Sequence, residues 1–191
     1  MITGVVLAAG ASRRLGSPKQ LLPYRDTTLL GATLRAARGI GFDQLIVTLG
    51  GAAEAVRDQV SLDGADVVVV SNSGSGCSAS LRVALQRVDP RSDGIVLMLG
   101  DQPGLDPATV RRLIATGSVD ITVCRYADGI GHPFWFGRNM FGELDRLHGD
   151  KGVWKLIASG RHKVHELAVA GPIPLDVDTW DDYRRLLESV P

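Results

Sequence analysis

Short runs of purely apolar residues recur along this chain, and each run is followed by a segment with helical spacing. The runs that we predict to be strands are residues 5–7, 45–49, 67–70 and 95–99. The predicted helices between and after them are residues 27–38, 52–60 and 77–88, with one more that begins at Asp106. Strands that are apolar on both faces are typical of a parallel sheet that is covered by helices on both sides. We therefore expect an α/β fold of three layers around a mostly parallel sheet.

After residue 119 the alternation of strands and helices becomes looser. The predicted strands there are residues 120–124 and 132–136, and the predicted helices are residues 138–147, 152–158 and 179–187. At 191 residues, of which 45% are apolar and 22% charged, the chain has the length and composition of an ordinary globular domain. Because no repeat, low-complexity tract or linker interrupts it, we predict a single domain over residues 1–191.

The charges and cysteines argue against several classes of protein. Lys plus Arg and Asp plus Glu each number 21, and a net charge of zero argues against a general nucleic-acid or membrane-surface binder. No apolar run approaches the roughly 18 residues of a membrane span, and no signal-peptide pattern is present. Cys77 and Cys124 lie too far apart for a zinc motif or a disulfide framework, so we expect buried thiols. We expect a cytoplasmic protein that binds neither nucleic acid nor membranes.

The loop after the first predicted strand is rich in small residues and carries several cations. Its sequence over residues 7–19 is LAAGASRRLGSPK. Small residues directly after a buried strand let backbone N–H groups approach a polyphosphate closely. Arg14 and Lys19 can add positive charge, and Lys19 is one of only four lysines in the chain. The loop matches neither a P-loop nor the G-x-G-x-x-G fingerprint, and a flexible surface loop with solvated cations is the alternative.

Carboxylates follow the apolar run 95–99 and also occur near the end of the chain. Asp101 is expected at the carboxyl edge of the sheet, where open α/β sheets bind their ligands. There it is a candidate ligand for Mg²⁺, and Mg²⁺ would bridge nucleotide phosphates. Asp176 and Asp178 lie at i and i+2 of an extended segment, point to the same side, and could supply a second ligand. The alternatives are an Asx turn at Asp101 and an N-cap at Asp178 or Thr179.

A second loop, residues 72–80, is rich in glycine and serine and opens the predicted helix 77–88. Its backbone and serine groups suit recognition of a base or ribose, and an ordinary capped helix start is the alternative. The segment 131–133 reads GHP, and a histidine in such a turn is often structural. We find no Ser/His/Asp set that predicts nucleophilic catalysis.

Taken together, these segments resemble the MobA-like nucleotidyltransferase family, and most closely its molybdenum cofactor cytidylyltransferase branch. The segments that carry the resemblance are LAAGASRRLGSPKQLLP at 7–23, Asn72 to Ser80, GDQP at 100–103, GHP at 131–133, GDKG at 149–152 and DVDT at 176–179. The resemblance covers nearly the whole chain and implies a Rossmann-like, GT-A-like nucleotidyltransferase fold. The chain departs from the family pattern at Trp180, which stands where the family usually has a proline.

The resemblance also implies roles for individual residues. The residues that it places around the nucleotide are Leu7, Ala8, Ala9, Gly10, Arg14, Lys19, Asn72, Gly76, Ser80 and Asp101. Among these it implies catalytic roles for Lys19, Arg14 and Asp101. It also implies that Asp101 and Asp178 hold Mg²⁺ and that His132 contacts the acceptor. Ala9 stands where the guanylyl branch of the family has a glycine, which favours CTP as the nucleotide.

The function that the resemblance implies is transfer of CMP from CTP to the terminal phosphate of molybdopterin, with release of pyrophosphate. A molybdoenzyme or its maturation chaperone is an expected protein partner. Three alternatives are open from the sequence. They are nucleotidyl transfer with another nucleotide or another phosphorylated acceptor, reduction with NAD(P)H, and a carrier that binds molybdopterin without catalysis. The missing dinucleotide fingerprint disfavours the reductase.

Overall fold

A seven-stranded sheet forms the centre of the protein in a computed structural model, which describes residues 1–71, 76–116 and 120–189. The strands are β1 Ile2–Ala8, β2 Pro23–Tyr24, β3 Thr27–Thr28, β4 Gln44–Leu49, β5 Asp66–Val69, β6 Gly94–Leu99, β7 Ile121–Tyr126, β8 Gly129–Gly137 and β9 Val164–Ala168. The helices are α1 Leu29–Arg38, α2 Ala53–Gln59, α3 Cys77–Leu85, α4 Pro107–Ala115, α5 Phe141–Asp145, α6 Gly152–Ala158 and α7 Trp180–Glu188.

The strands of the large sheet run in the order β5-β4-β1-β6-β8-β7-β9. The first four are parallel, and at the centre Val5 of β1 pairs with Ile46 of β4 and Leu97 of β6. Strand β8 is antiparallel to both of its neighbours, whereas β9 pairs parallel with β7. The sheet is therefore mostly parallel, as predicted, and the carboxyl ends of β1, β4, β5 and β6 meet at one edge.

The apolar strands divide their side chains between two cores. Val6 packs in one core with α1, α2 and α4, while its neighbour Val5 packs in the other with α3, α5 and α6. Both valines are fully buried because successive side chains of a strand point to opposite faces. This explains the lack of polar alternation in β1, and it confirms the predicted three layers.

Sequence signals placed several helix starts correctly. Thr28 caps α1 by accepting a hydrogen bond from the Gly31 N–H, and Asp106 caps α4 by accepting from the Ala108 and Thr109 N–H groups. The predicted helix 138–147 was too long, because a 3-10 turn occupies Arg138–Met140 before α5 begins. Strand β9, at the edge of the sheet, was not predicted. No helix in the described ranges is long and apolar enough to cross a membrane.

Candidate functional site

A cavity of about 640 Å³ opens at the carboxyl edge of the sheet, beyond the ends of β1 and β6. The residues that line it are Leu7, Ala8, Ala9, Gly10, Ala11, Ser12, Arg13, Arg14, Lys19, Gln20, Gly76, Cys77, Ser80, Leu99, Gly100, Asp101, Asp150, Lys151 and Asp178. This volume is in the range of sites that bind small molecules. The sequence-predicted site residues that the structure describes line this cavity, with the exceptions of His132 and Asp176.

The loop that follows β1 leaves a row of backbone donors without partners. In the described part of the chain, the N–H groups of residues 9–14 make no hydrogen bond. The loop is nevertheless fixed, because the Ser12 hydroxyl accepts a 3.0 Å hydrogen bond from the Lys19 N–H and Ser12 holds a positive φ of 50°. A fixed row of free N–H groups is an anion-binding concavity. The structure thus gives this loop the shape expected of a phosphate cradle.

Gly100 brings Asp101 close to this loop. The Gly100 N–H donates to the Leu7 carbonyl at 2.9 Å, and a Cβ at position 100 would lie 2.7 Å from the Cβ of Ala8. Only glycine permits this approach of the two strand ends without a shift. The next residue, Asp101, therefore stands beside the start of the loop.

Lys19, Asp101 and Asp178 form one ionic cluster. The Nζ atom of Lys19 lies 2.5 Å from Oδ2 of Asp101 and 2.7 Å from Oδ1 of Asp178. The Lys19 and Asp101 side chains are only 13% and 15% exposed, whereas that of Asp178 is 52% exposed. The cluster joins the three segments that the sequence analysis singled out separately.

The buried position of the cluster changes the ionisation of its members. Burial disfavours the charged form of Lys19, but the Asp101 and Asp178 carboxylates outweigh it and raise the pKa of this ammonium above its ordinary value. Burial also raises the pKa of Asp101, and the nearby charge of Asp176 adds to this effect, while Lys19 opposes it. A further cation would relieve the repulsion between these carboxylates.

The C-terminal segment that carries Asp178 is held in place by an apolar anchor and by a cap. Val177 is fully buried in a small cluster with Leu15, Leu22, Tyr24, Leu29 and Leu186. Thr179 and Asp182 form a capping box at the start of α7, so the cap of α7 does not occupy the Asp178 carboxylate. Of the two aspartates that the sequence offered, Asp178 lines the cavity and contacts Lys19.

Asp101 and Asp178 are the residues suited to hold a divalent metal. In the described residues, no group of three or more His, Cys, Asp or Glu side chains is arranged as a metal site. A pair of carboxylates still fits Mg²⁺, which is usually bound through one or two carboxylates while water and substrate phosphates supply the other oxygens. Because both carboxylates already share one cation, the Lys19 ammonium, the donor set fits a small hard cation.

The start of α3, together with Asp150 and Lys151, forms another part of the cavity lining. Gly76 has a φ of +86°, which favours glycine, and both Gly76 and Ser80 line the cavity. Oδ1 of Asp150 accepts a 3.0 Å hydrogen bond from the Cys77 N–H at the first turn of α3. Burial, followed by the charges of Asp150 and Asp101, raises the pKa of the Cys77 thiol to about 11. Asn72, which the resemblance placed at the nucleotide, lies outside the described residues.

His132 does not reach the cavity. The residue is 9% exposed, and its ring packs 4.1 Å from the Phe134 ring and 5.9 Å from the Trp154 ring, measured between centroids. Its carbonyl accepts a 2.9 Å hydrogen bond from the Tyr126 hydroxyl. Burial lowers the pKa of His132 to about 3, so the imidazole is neutral at pH 7.

Sequence reasoning gave no site role to Gln20, Cys77, Asp150 and Lys151, all of which line the cavity. Asp150 and Lys151 lie in the GDKG segment, which was noticed but given no role. Gln20 follows Lys19 directly, and no pattern in the sequence distinguishes it from a surface glutamine. It is in fact 4% exposed.

The chain is similar to several known proteins. It is 71% identical to Rv0371c of Mycobacterium tuberculosis H37Rv in a crystal structure of that protein with manganese, which it matches over 99% of both chains with a TM-score of 0.92. It is 27% identical to a nucleotidyl transferase from Methanothermobacter thermautotroptrophicus over 98% of this chain and 96% of that one, with a TM-score of 0.83. These neighbours confirm the predicted α/β nucleotidyltransferase fold.

A further relative is similar to only part of this chain. The chain is 38% identical over 116 residues to the Nicotine blue oxidoreductase of Paenarthrobacter nicotinovorans. That match covers 60% of this chain and spans about half (56%) of the relative. The MobA-like NTP transferase domain, in contrast, matches residues 4–166, which include most of β1, the loop that follows it and Asp101. This chain therefore belongs to the MobA-like NTP transferase domain family, and it is an enzyme of the nucleotidyltransferase type.

Proposed function

We propose that this enzyme transfers CMP from CTP to the terminal phosphate of molybdopterin and releases pyrophosphate in a Mg²⁺-dependent reaction. The observation that carries the proposal is the Lys19 ammonium shared by Asp101 and Asp178, directly beside the row of free N–H groups. A site of this kind neutralises the charge of a triphosphate and of the metal that accompanies it. It offers little to a substrate without phosphates.

The nucleotide is held by the carboxyl ends of β1 and β6 and by the start of α3. The residues that we assign to it are Leu7, Ala8, Ala9, Gly10, Arg14, Lys19, Asn72, Gly76, Ser80 and Asp101. The free N–H groups of the loop bind the phosphates, while Arg14 and Lys19 neutralise their charge. The choice of CTP rests on Ala9, which stands where the guanylyl branch has glycine.

Asp101 and Asp178 hold the divalent ion. When bound, the ion lowers the negative charge of the phosphates and helps to orient them. Support for the pair comes from the closeness of both carboxylates to Lys19, and from the relative Rv0371c, whose structure contains manganese. We infer Mg²⁺ as the natural ion because the donors are oxygens.

The chemistry needs no strong general base. An oxygen of the acceptor phosphate attacks the α-phosphorus of CTP, so that a new P–O bond forms while the bond to the bridging oxygen of pyrophosphate breaks. The acceptor phosphate is already anionic at pH 7 and carries no proton that a base must remove. This agrees with the neutral, buried state of His132. Catalysis by this chain is then positioning by the loop and charge neutralisation by Lys19 and Arg14.

We assign His132 to the acceptor side of the site, because the resemblance places the segment 131–133 there. Its ring packs against the rings of Phe134 and Trp154. We further propose that residues 1–191 work as one domain in the cytoplasm. The product then passes to a molybdoenzyme or to its maturation chaperone.

The experiment that tests this function measures pyrophosphate release with molybdopterin, Mg²⁺ and each of the four nucleoside triphosphates in turn. We expect turnover with CTP, at least about tenfold faster than with GTP, and none without Mg²⁺ or without acceptor. Equal rates with GTP would reject the assignment of CTP. Turnover only with another phosphorylated acceptor would reject molybdopterin.

The similarity to Nicotine blue oxidoreductase favours one rival, a reduction that consumes NADH or NADPH. The same preparation is therefore incubated with reduced nicotinamide cofactor, and its absorbance is followed. We expect no consumption. Steady oxidation of the cofactor, together with an absence of pyrophosphate release, would favour the reductase. Binding of molybdopterin without binding of Mg²⁺–CTP in calorimetry would instead favour the carrier.

A further inference from the structure

Gln20 is a buried polar residue in the wall of the cavity, and the function proposed above assigns it no role. The residue is 4% exposed. Its Nε2 atom donates two hydrogen bonds to the end of β1 and the loop that follows, one to the Ala8 carbonyl at 2.6 Å and one to the Gly10 carbonyl at 3.1 Å. Its Oε1 atom has no partner among the described residues. Both hydrogens of this amide are therefore donated to the backbone between Ala8 and Gly10.

The two carbonyls that Gln20 binds determine where the next N–H groups point. In a trans peptide, the carbonyl of one residue and the N–H of the following residue point in opposite directions. Because Ala8 and Gly10 turn their carbonyls toward Gln20, the N–H groups of Ala9 and Ala11 point away from it. Neither N–H has an acceptor in the described part of the chain, and both residues line the cavity.

We propose that Gln20 is a positioning residue, which holds the Ala8 and Gly10 carbonyls so that the Ala9 and Ala11 N–H groups face the phosphates of the nucleotide. The inference rests on the proposed use of a nucleoside triphosphate. It adds a residue that acts through the loop backbone and touches no reacting atom.

A glutamine suits this task better than the other side chains that could reach the loop. Its amide provides two hydrogens for two carbonyls and is neutral, so it does not compete with Lys19 for the carboxylates of Asp101 and Asp178. A carboxylate at the same place would repel both carbonyls. An aliphatic side chain would leave them unpaired, and an unpaired buried carbonyl can turn toward the cavity, where it would oppose a phosphate.

The two ends of this stretch are already fixed by other side chains. The Thr48 hydroxyl accepts a 3.3 Å hydrogen bond from the Ala8 N–H, and the Ser12 hydroxyl accepts from the Lys19 N–H. Gln20 therefore controls only the peptide units between them. Its removal should disturb the direction of the N–H groups without unfolding the strand.

The test compares Gln20→Leu and Gln20→Glu with the natural chain in the binding of Mg²⁺–CTP and of inorganic tripolyphosphate, both measured by calorimetry. Loss of one preorganised N–H donor typically costs about 10²-fold in rate, so we expect at least tenfold weaker binding of both anions. The KM for CTP should rise in parallel, while the KM for the acceptor stays within about twofold. Gln20→Glu should be the weaker binder because its charge repels the carbonyls.

Gln44→Leu is the matched control. Gln44 lies at the opposite end of the sheet, and its Nε2 likewise donates two hydrogen bonds, to the Asp66 carboxylate and the Arg87 carbonyl. This variant loses these two bonds and also the two that Oε1 of Gln44 accepts, from the Thr3 hydroxyl and the Asp89 N–H, and it should still keep the natural affinity for CTP. Unchanged affinity in Gln20→Leu would overturn the proposal, and so would an equal loss of affinity in Gln44→Leu.

A measurement on the natural chain covers the case in which the Gln20 variants do not fold. Titration with Mg²⁺–CTP should shift the amide resonances of Ala9 and Ala11 in NMR spectra by more than that of Gly16 in the same loop. If CTP binds and these two amides do not respond, Gln20 is not a positioning residue. If CTP does not bind to the natural chain at all, the proposed function itself fails.

Discussion

The Nζ atom of Lys19 lies 2.5 Å from Oδ2 of Asp101, and both side chains are largely buried. A second carboxylate, that of Asp178, approaches the same ammonium at 2.7 Å. The ammonium thus occupies a place between two carboxylates that a divalent ion would also favour. Lys19 and an added divalent ion would therefore compete for the carboxylates of Asp101 and Asp178.

Replacement of Lys19 by methionine should stop nucleotidyl transfer. The variant keeps the length of the side chain but loses its charge, so developing charge on the phosphates is no longer neutralised. We expect a loss of about 10²-fold or more in the rate of pyrophosphate release. Circular dichroism should show a folded protein. Lys155→Met, at an exposed position of α6, is the control that should keep full activity. A Lys19→Met enzyme with natural rates would contradict the assigned role.

The same Lys19→Met variant should bind Mn²⁺ more tightly than the natural chain when no nucleotide is present. Without the ammonium, Asp101 and Asp178 face each other without compensation, and their attraction for an added cation increases. We expect an increase in affinity of about tenfold, measured from the free Mn²⁺ signal in electron paramagnetic resonance. Equal or weaker binding would show that Lys19 does not compete with the metal.

Asp178→Asn should weaken Mn²⁺ binding and slow the reaction far more than Asp176→Asn. Asp178 lines the cavity and contacts Lys19, whereas Asp176 acts on Asp101 only through its charge. We expect at least about a tenfold difference in activity between the two variants. Steady-state rates over a range of metal concentrations separate a loss of metal binding from a loss of turnover. Equal effects of the two substitutions would show that Asp178 is not the second metal ligand.

His132 should make the folded chain sensitive to acid. Its pKa is about 3 in the folded state, against an ordinary value of 6.5, so the unfolded state binds the proton first as the pH falls. The stability that is fully present above pH 6.5 should therefore decline between pH 6.5 and 3, by about 1.4 kcal/mol per pH unit. Urea unfolding at pH 7.5 and 5.0 measures this decline.

His132→Gln should remove that component of the pH dependence, whereas His165→Gln, at an exposed position of β9, should not. The comparison uses the difference between the two pH values in each variant, so that a general loss of stability in His132→Gln does not matter. An unchanged pH dependence in His132→Gln would mean that the buried imidazole takes up no proton on unfolding.

The Cys77 thiol should react slowly with iodoacetamide although it lines the cavity. Burial, with the charges of Asp150 and Asp101, raises its pKa to about 11, so the reactive thiolate is rare at pH 8. We expect alkylation roughly a hundredfold slower than in the urea-unfolded chain. Mass spectrometry of the Cys124→Ala variant follows Cys77 alone. Rapid labelling of the folded variant would contradict the raised pKa.

Much of the sheet and the candidate members of the ionic cluster could be predicted from local pattern. The apolar runs 5–7, 45–49, 67–70 and 95–99 each end within one residue of the end of a strand, so a polar residue that soon follows, such as Asp101, is expected at the carboxyl edge. The local pattern offered both Asp176 and Asp178, and the resemblance selected Asp178. No local pattern connects Asp178 to Lys19, because the two residues lie 159 positions apart. Strand β9 was missed because its residues Val164–Ala168 are mostly exposed and include His165 and Glu166, which leaves no apolar run.

Gln20 and His132 mark the limit of sequence reasoning in opposite ways. Gln20 lies in a segment of ordinary composition, and only its hydrogen bonds to Ala8 and Gly10 indicate the positioning role that we propose. His132 lies in a segment that the resemblance assigns to the acceptor, yet tertiary packing against Phe134 and Trp154 buries its ring. Burial of a polar side chain depends on contacts between distant segments, and a sequence pattern does not contain them.

The contact between Lys19 and Asp178 has a consequence for the synthesis of this protein. A nascent chain exposes Lys19 and the loop after β1 long before the ribosome has made residue 178. Until the segment that carries Asp178 docks, Lys19 has only one of its two acidic partners, and the proposed metal site lacks its second carboxylate. The ionic cluster of Lys19, Asp101 and Asp178 is therefore complete only after residue 178 has left the ribosome, and a shorter nascent chain lacks the site that we propose.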